Sequence, residues 1–299
     1  VRHREIVRVL DALSDRGIRP LLLKGAALAY TVYQEPSTRE RGDCDLLIRD
    51  DDREATAQVL GSLGYEPLSS AGGEVATYQQ TYESPVHSVD VHWKLSNAQL
   101  FAAGLSYDEL DARGIEVPAL GPHARALCAP NALVHALLHR VTHVNAPYYV
   151  DGIAYHEEDR LIWLYDIHLL ARRLDAAGWR DVVALARRHR WRAVCLDGLM
   201  AARAALGTSI PDAVLEALDG TGHHEPSASY LRRGRALHVL TELRALPSWS
   251  DRARLLKDLG LPAPDYMLDK YDTDRRALLP WLYVRRAVEG LVKVVRTDR

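Results

Sequence analysis

Asp43, Asp45 and Asp90 are the residues whose type and spacing best fit them for chemistry. Asp43-Cys44-Asp45-Leu46-Leu47-Ile48 reads as a strand, and in a strand side chains two apart share a face. The two carboxylates therefore lie side by side. They repel each other, and one takes up a proton unless a cation neutralises them. A divalent cation meets that need, and Mg²⁺ prefers a few carboxylate oxygens plus water and phosphate oxygens at about 2.0–2.1 Å. Asp90 adds a third carboxylate from a second strand candidate, Val86 to Trp93. There Val89, Val91 and Trp93 face one way and Asp90 and His92 the other. Three such groups can hold two metal ions about 3.5–4 Å apart, the arrangement that clamps the attacking and leaving oxygens of a phosphoryl displacement. An isolated Asp-x-Asp reads first as a solvated strand end. What favours chemistry is the order strand, glycine turn, helix, Asp-x-Asp strand, then a lone Asp in an apolar strand.

Other polar residues gather around this set. Lys24-Gly25-Ala26 reads as a turn between a strand and a helix. Glycine there lets backbone N–H groups approach a triphosphate, the helix N-terminus favours negative charge, and Lys24 adds a point charge. Arg39 and Arg41 precede the aspartate pair as candidates for neutralising phosphate, or as solvated loop residues. His135, His139 and His143 recur every fourth position along one helix face. That spacing suits zinc, but no nearby Cys or carboxylate completes a set, so a structural or cleft-lining role is the better reading. His92, which shares a face with Asp90, and His139 are the candidates for contacting an acceptor. Asp166, in an apolar and aromatic helix, is expected to be buried and paired with Arg or His. His223-His224-Glu225, between Gly222 and Pro226, reads as a flexible loop.

Positioning these residues takes two kinds of architecture. Helices are expected over Arg2–Asp15, Ala26–Tyr33 and from Asp50–Asp52, as cap and first turn, to Leu63. Strands are expected at Pro20–Leu23, Asp43–Ile48, Val75–Tyr82 and Val86–Trp93, with a weak one at Ile115–Val117. From about Pro122 the chain reads as long helices: Pro130–Val144, Asp159–Leu174, Trp179–His189, Ala193–Leu206, Ser227–Leu246 and Ala277–Val295. The expected fold class is α+β, a mixed sheet with flanking helices over residues 1–121 followed by a mainly helical domain over 122–299. No fixed-period repeat supports a solenoid.

Composition narrows the function. The 299 residues are 47% hydrophobic with a formal net charge of -2, so the basic footprint of a nucleic-acid binder is missing. Cys44, Cys128 and Cys195 are widely spaced, which indicates neither a disulfide framework nor a zinc knuckle. No apolar run is long enough to span a bilayer and no signal-peptide pattern opens the chain, so a cytoplasmic protein is expected.

The ordered set Gly25, Asp43, Asp45, Asp90 resembles the nucleotidyltransferase superfamily that includes DNA polymerase β. More closely, Leu22–Leu28, Arg39–Ile48, Val89–Trp93, Leu161–Ile167 and Leu279-Pro280-Trp281 look like the bacterial family of uncharacterised nucleotidyltransferases. The resemblance implies an Mg²⁺-dependent enzyme, with Mn²⁺ as a substitute, that moves an NMP group from an NTP to a hydroxyl or phosphate and releases pyrophosphate. It implies Asp43, Asp45 and Asp90 as metal-binding and catalytic residues, and Lys24, Gly25, Ala26, Arg39 and Arg41 as nucleotide contacts. Ala26 departs from the serine of many superfamily members, removing a hydroxyl contact for which Lys24 is the replacement at hand. The charge balance favours a small-molecule, peptide or protein acceptor over a long nucleic acid. Rival readings are a non-catalytic nucleotide-binding or antitoxin-like protein, and a phosphotransferase on the same fold. Against the first, a degenerate site has no physical reason to keep clustered carboxylates.

Overall fold

Helix α1 (Arg2–Ser14) forms where Ile6, Val9, Leu10 and Leu13 fall on one face, and all four are buried. Gly17, at φ 75°, takes the left-handed turn that ends it. The computed structural model describes residues 2–68, 77–144, 147–150, 153–156, 159–220, 224–232 and 235–297. Strand β1 (Leu21–Leu23) is buried throughout and runs into helix α2 (Lys24–Thr31) with no connecting residue. The turn expected at Lys24-Gly25 is therefore the first turn of α2 itself. Lys24 makes the change of direction, at φ 45°. Strand β2 (Cys44–Leu47) starts one residue after Asp43, which leads into the strand and is not part of it.

Helix α3 (Arg53–Ser62) follows a single 3-10 turn at Asp50–Asp52. Those aspartates add negative charge before the helix, but no side chain among them caps it, contrary to expectation. Strands β3 (Glu66–Pro67), β4 (Gln79–Ser84) and β5 (His87–His92) come next. Strand β4 begins later than the expected Val75, and residues 75 and 76 lie outside the described residues. Short helices α4 (Gln99–Ala102) and α5 (Tyr107–Asp111) lead to strands β6 (Ile115–Glu116) and β7 (Arg125–Ala126). A capping box between Ser106 and Glu109 starts α5.

The described strands form a seven-stranded mixed sheet in the order β3-β4-β5-β2-β1-β7-β6. Strand β2 runs antiparallel to β1 and parallel to β5, and β1 runs parallel to β7. Period-two alternation divides the sheet between two cores. On one face Leu22, Cys44, Leu46, Val89 and Val91 pack with α1 and α3. On the other, Leu21, Leu23 and Leu47 join Leu133, Val134 and Leu137 of helix α6 (Ala129–Val144). Asp45 and Leu47 share a strand face, so the carboxylates look toward the helical part of the chain.

A hairpin, β8 (Pro147–Val150) and β9 (Ile153–His156), follows α6. Helices α7 (Leu161–Ala171), α8 (Ala176–Arg188), α9 (Arg192–Leu206) and α10 (Asp212–Asp219) then complete the second core. The helix expected over Ser227–Leu246 is instead a 3-10 segment, Pro226–Leu231, followed by α11 (Arg235–Ala245). Side chains hold that first segment in place. Glu225 is buried and accepts from Arg192 at 2.7 Å, Ser227 donates to the Arg190 carbonyl at 2.6 Å, and Tyr230 packs on Phe101 with ring centroids 4.8 Å apart. The loop read at His223–Glu225 is thus anchored at Glu225, while residue 223 lies outside the described residues. Helices α12 (Trp249–Gly260), α13 (Pro264–Lys270) and α14 (Leu279–Thr297) end the described chain. Among the described residues no helix is long and apolar enough to cross a membrane.

Candidate active site

Sheet register brings the aspartates together. Asp45 on β2 and Asp90 on β5 are direct partners across adjacent parallel strands, and Leu23, the residue before Lys24, is the partner of Asp45 on the other side. Asp45, Asp90 and His92 each offer a ligand atom, and these atoms lie within 4.8 Å of one another. Asp43 opens onto the same cleft. The cleft measures about 610 Å³, within the roughly 300–1,000 Å³ of small-ligand sites. Its walls include Lys24, Gly25, Arg39, Arg41 and the three aspartates from the sheet side, and His139, His143, Arg160 and Trp163 from α6 and α7 with its approach.

The cluster already contains a cation. Lys24 Nζ lies 2.5 Å from Asp45 Oδ1 and 3.4 Å from His92 Nε2, and His92 Nε2 lies 3.0 Å from the same Asp45 oxygen. Burial pushes the Asp45 carboxyl up, but the Lys24 ammonium and the His92 hydrogen bond override it and hold Asp45 well below the usual carboxylate range. Asp43 shows the opposite balance. Burial first, then the charges of Asp45 and Asp90, push its carboxyl up against a weaker pull from Lys24. One ammonium therefore does not satisfy three carboxylates. This deficit, and the convergence of oxygen ligands with one imidazole nitrogen, fit a divalent cation. Thr81, on β4 opposite Asp90, donates to Asp90 Oδ1 at 2.6 Å and orients that carboxylate.

The other expected nucleotide contacts fall into three groups. Gly25 sits under two arginines: a Cβ there would lie 3.3 Å from Arg41 Cβ and 3.4 Å from the Arg39 guanidinium carbon. A larger residue would thus fit tightly against the two arginine side chains, and the φ of Gly25 is not in the left-handed region. Ala26 packs its side chain into the core beneath the sheet, leaving only its backbone N–H as a possible phosphate contact. The two arginines are anchored elsewhere. Arg39 donates to both oxygens of Asp166, Nε at 2.9 Å and Nη2 at 2.7 Å, and the Tyr33 hydroxyl donates to the same carboxylate at 2.7 Å. Asp166 is therefore buried and paired, as its apolar helix implied. Arg41 donates to the Pro36 carbonyl at 2.9 Å and to the Arg39 carbonyl at 3.1 Å, and stacks over Tyr30.

The histidines on α6 separate by depth. His135 is buried against an inner cavity behind Lys24. Burial, then the Lys24 charge, lowers its pKa to about 3. His139 lines both that cavity and the cleft, and burial followed by Lys24 and its neighbouring histidines holds it well below its ordinary value. His139 and His143 pack with Trp163, each 5.6 Å from it between ring centroids. Trp163, Arg160, Thr81, Gln79 and Asn97 are cleft or cluster residues that sequence reasoning did not single out. None carries a motif of its own. The signal that could have found Thr81 is its cross-strand position opposite Asp90.

No curated protein matches the chain. Among solved structures, the solution structure of the antibiotic-resistance factor ANT(2'')-Ia is similar at a TM-score of 0.44 and 13% identity, over 67% of this chain and 99% of that one. The family model for uncharacterised nucleotidyltransferases matches residues 2–207, which takes in the whole sheet, the cleft and helices α6 to α9; the chain belongs to that family.

Proposed function

We propose that this protein transfers a nucleoside monophosphate from an NTP to a hydroxyl or phosphate of a small-molecule, peptide or protein acceptor, with Mg²⁺ or Mn²⁺ as the required cation. The observation that carries the proposal is the register pairing of Asp45 with Asp90, with Asp43 at the mouth of the same strand, on the cleft side of the sheet. Asp43, Asp45 and Asp90 would hold the cation, with His92 as the neighbouring nitrogen. When bound, the cation supplies charge neutralisation at the triphosphate and at the developing charges of the displacement.

The protein's own groups have separate tasks in this reading. The first turn of α2, from Lys24 to Ala26, presents backbone N–H groups where the phosphates enter. The acceptor oxygen attacks the α-phosphorus, the bond to the bridging β-oxygen breaks, and pyrophosphate leaves. The acceptor proton passes to Asp90, which Thr81 holds in position. His139, which lines the cleft with His143 and Trp163, would contact the acceptor. The Arg39–Asp166 pair ties the segment before β2 to α7.

Asp90→Asn tests this assignment. Nucleotide binding in the presence of Mg²⁺, read by calorimetry, should stay near wild type, because Asp43, Asp45, Lys24 and the turn of α2 remain. Turnover, read as pyrophosphate release, should fall by about a hundredfold or more, the range for loss of a positioned base. Near-normal turnover in a folded Asp90→Asn protein would make Asp90 a structural strand residue.

A further inference from the structure

We propose that Lys24 is an exchangeable counter-cation: its ammonium sits on Asp45 when no divalent cation is bound and passes to the nucleotide's phosphates when one binds. The inference rests on reading the aspartate cluster as a cation site, and it concerns how this chain's own charge is moved to make room.

Geometry is the first support. Strand β1 delivers Lys24 beside Asp45, since Leu23 is that residue's partner in the sheet, and the positive φ of Lys24 turns the chain there. Its ammonium, 2.5 Å from Asp45 Oδ1, shares that oxygen with His92 Nε2 at 3.0 Å. A divalent ion held between Asp45 and Asp90 would place two like charges within one ligand's width, in a pocket where Asp45 is 3% exposed. Charges in a poorly solvated pocket repel strongly, so a divalent ion on Asp45 weakens the ammonium's hold on Oδ1, which it already shares with His92.

The second support is that Lys24 alone among these cleft cations is built to move. Arg39 is bidentate to Asp166, Arg41 is tied to two carbonyls, and Arg160 lies over the Trp163 ring at 5.3 Å. The chain contains five lysines against 33 arginines, so a lysine at this position is not explained by its habitual choice of base. An ammonium is a compact point charge on a flexible stem, whereas a guanidinium is a planar fork suited to fixed bidentate contacts. Room to move is present in the cleft of about 610 Å³ that Lys24 lines with the carboxylates.

A linkage follows. A metal ion arriving alone competes with the ammonium for the aspartates, whereas a metal ion arriving with a triphosphate brings the ammonium a new anionic partner. Metal and nucleotide should therefore raise each other's affinity. The test is Mn²⁺ titration followed by calorimetry and by electron paramagnetic resonance, with no nucleotide present. Lys24→Met should bind Mn²⁺ alone at least about tenfold more tightly than wild type. The gain in Mn²⁺ affinity on adding a non-hydrolysable ATP analogue should also shrink in the variant. If Asp45→Asn abolishes Mn²⁺ binding but Lys24→Met binds it no better than wild type, Lys24 is not a competing cation and the inference fails while the metal site stands. If Mn²⁺ binds none of these proteins, with or without the analogue, the metal-site reading and the inference fall together. Should Lys24→Met not fold, wild-type protein labelled with ¹³C-lysine decides the matter. Its five lysines can be assigned by replacing Lys94, Lys257, Lys270 and Lys293 in turn. The Lys24 Cε resonance should shift when Mg²⁺ and the analogue are added together, and an unmoved resonance at saturation overturns the exchange.

Discussion

Asp43 bears the unbalanced charge of the cluster. Asp45 has Lys24 and His92, and Asp90 has Thr81, but Asp43 is pushed toward its neutral form by burial and by both other aspartates. Asp43→Asn should therefore act in opposite directions on two measurements. The metal-free protein at neutral pH should melt higher, by roughly 1–3 °C, because a repulsive charge is removed. Mn²⁺ affinity in the presence of nucleotide should fall at least about tenfold, because a ligand is removed. Scanning calorimetry and metal titration on the same preparation check both, and a lower melting point with unchanged metal affinity would make Asp43 a structural residue. The placement of Asp45 and Asp90 on one strand face was legible in the sequence from a period of two and an apolar flank, whereas Asp43, read as part of the strand, lies one residue before β2. Lys24 was legible as a cleft residue, but its pairing with Asp45 was not. The two are 21 positions apart, and only the antiparallel register of β1 with β2 brings them together.

At the scale of elements, two carboxylates outside the aspartate cluster tie separate segments together, Asp166 buried and Glu242 half-buried. Asp166 on α7 holds Arg39, and both side chains are nearly sealed from solvent. Removing one partner of such a pair leaves the other charge buried and uncompensated, so Asp166→Ala should cost about 3–5 kcal/mol in urea denaturation. A loss below about 1 kcal/mol would show that Arg39 finds solvent or another partner. Glu242 on α11 accepts a hydrogen bond from the Gln99 backbone at the start of α4, and burial raises its pKa to about 7. Because the folded-state value lies above the ordinary 4.5, the folded chain binds more protons than the unfolded chain between those values. Stability contributed by neutral Glu242 is lost as pH rises through that window, and the penalty is complete above about 7. Glu242→Gln should flatten the decline in melting temperature between pH 5 and 8. An unchanged slope would assign the pH dependence to another group. Helix α1 was readable from its periodicity and the long later helices from runs rich in Ala, Leu and Arg, whereas β3 and β7 span two residues each, too few for any period to register. The break before α11 was hidden for a different reason. Contacts of Glu225, Ser227 and Tyr230 with distant residues override a composition that favours helix.

For the whole molecule, the sheet and the helices are joined by a common core. Leu21, Leu23 and Leu47 of the sheet belong to the same buried cluster as Leu137, Ile167 and Val194 of α6, α7 and α9. The cleft lies along that junction, so carboxylates from strands face imidazoles and an indole from helices. Helices α12 to α14 fall beyond the residues matched by the family, and Met267, Leu268 and Leu282 form a small cluster of their own there. Nucleotidyl transfer is tested most directly by following two labels. An NTP labelled on the α-phosphorus and separately on the γ-phosphorus is incubated with Mg²⁺, the protein and a pooled extract of small molecules and peptides, in parallel with Asp45→Asn. The α label should pass to a product heavier by one NMP group, the γ label should leave as pyrophosphate, and Asp45→Asn should do neither. Transfer of the γ label to the acceptor, or equal product from Asp45→Asn, would contradict the proposed reaction.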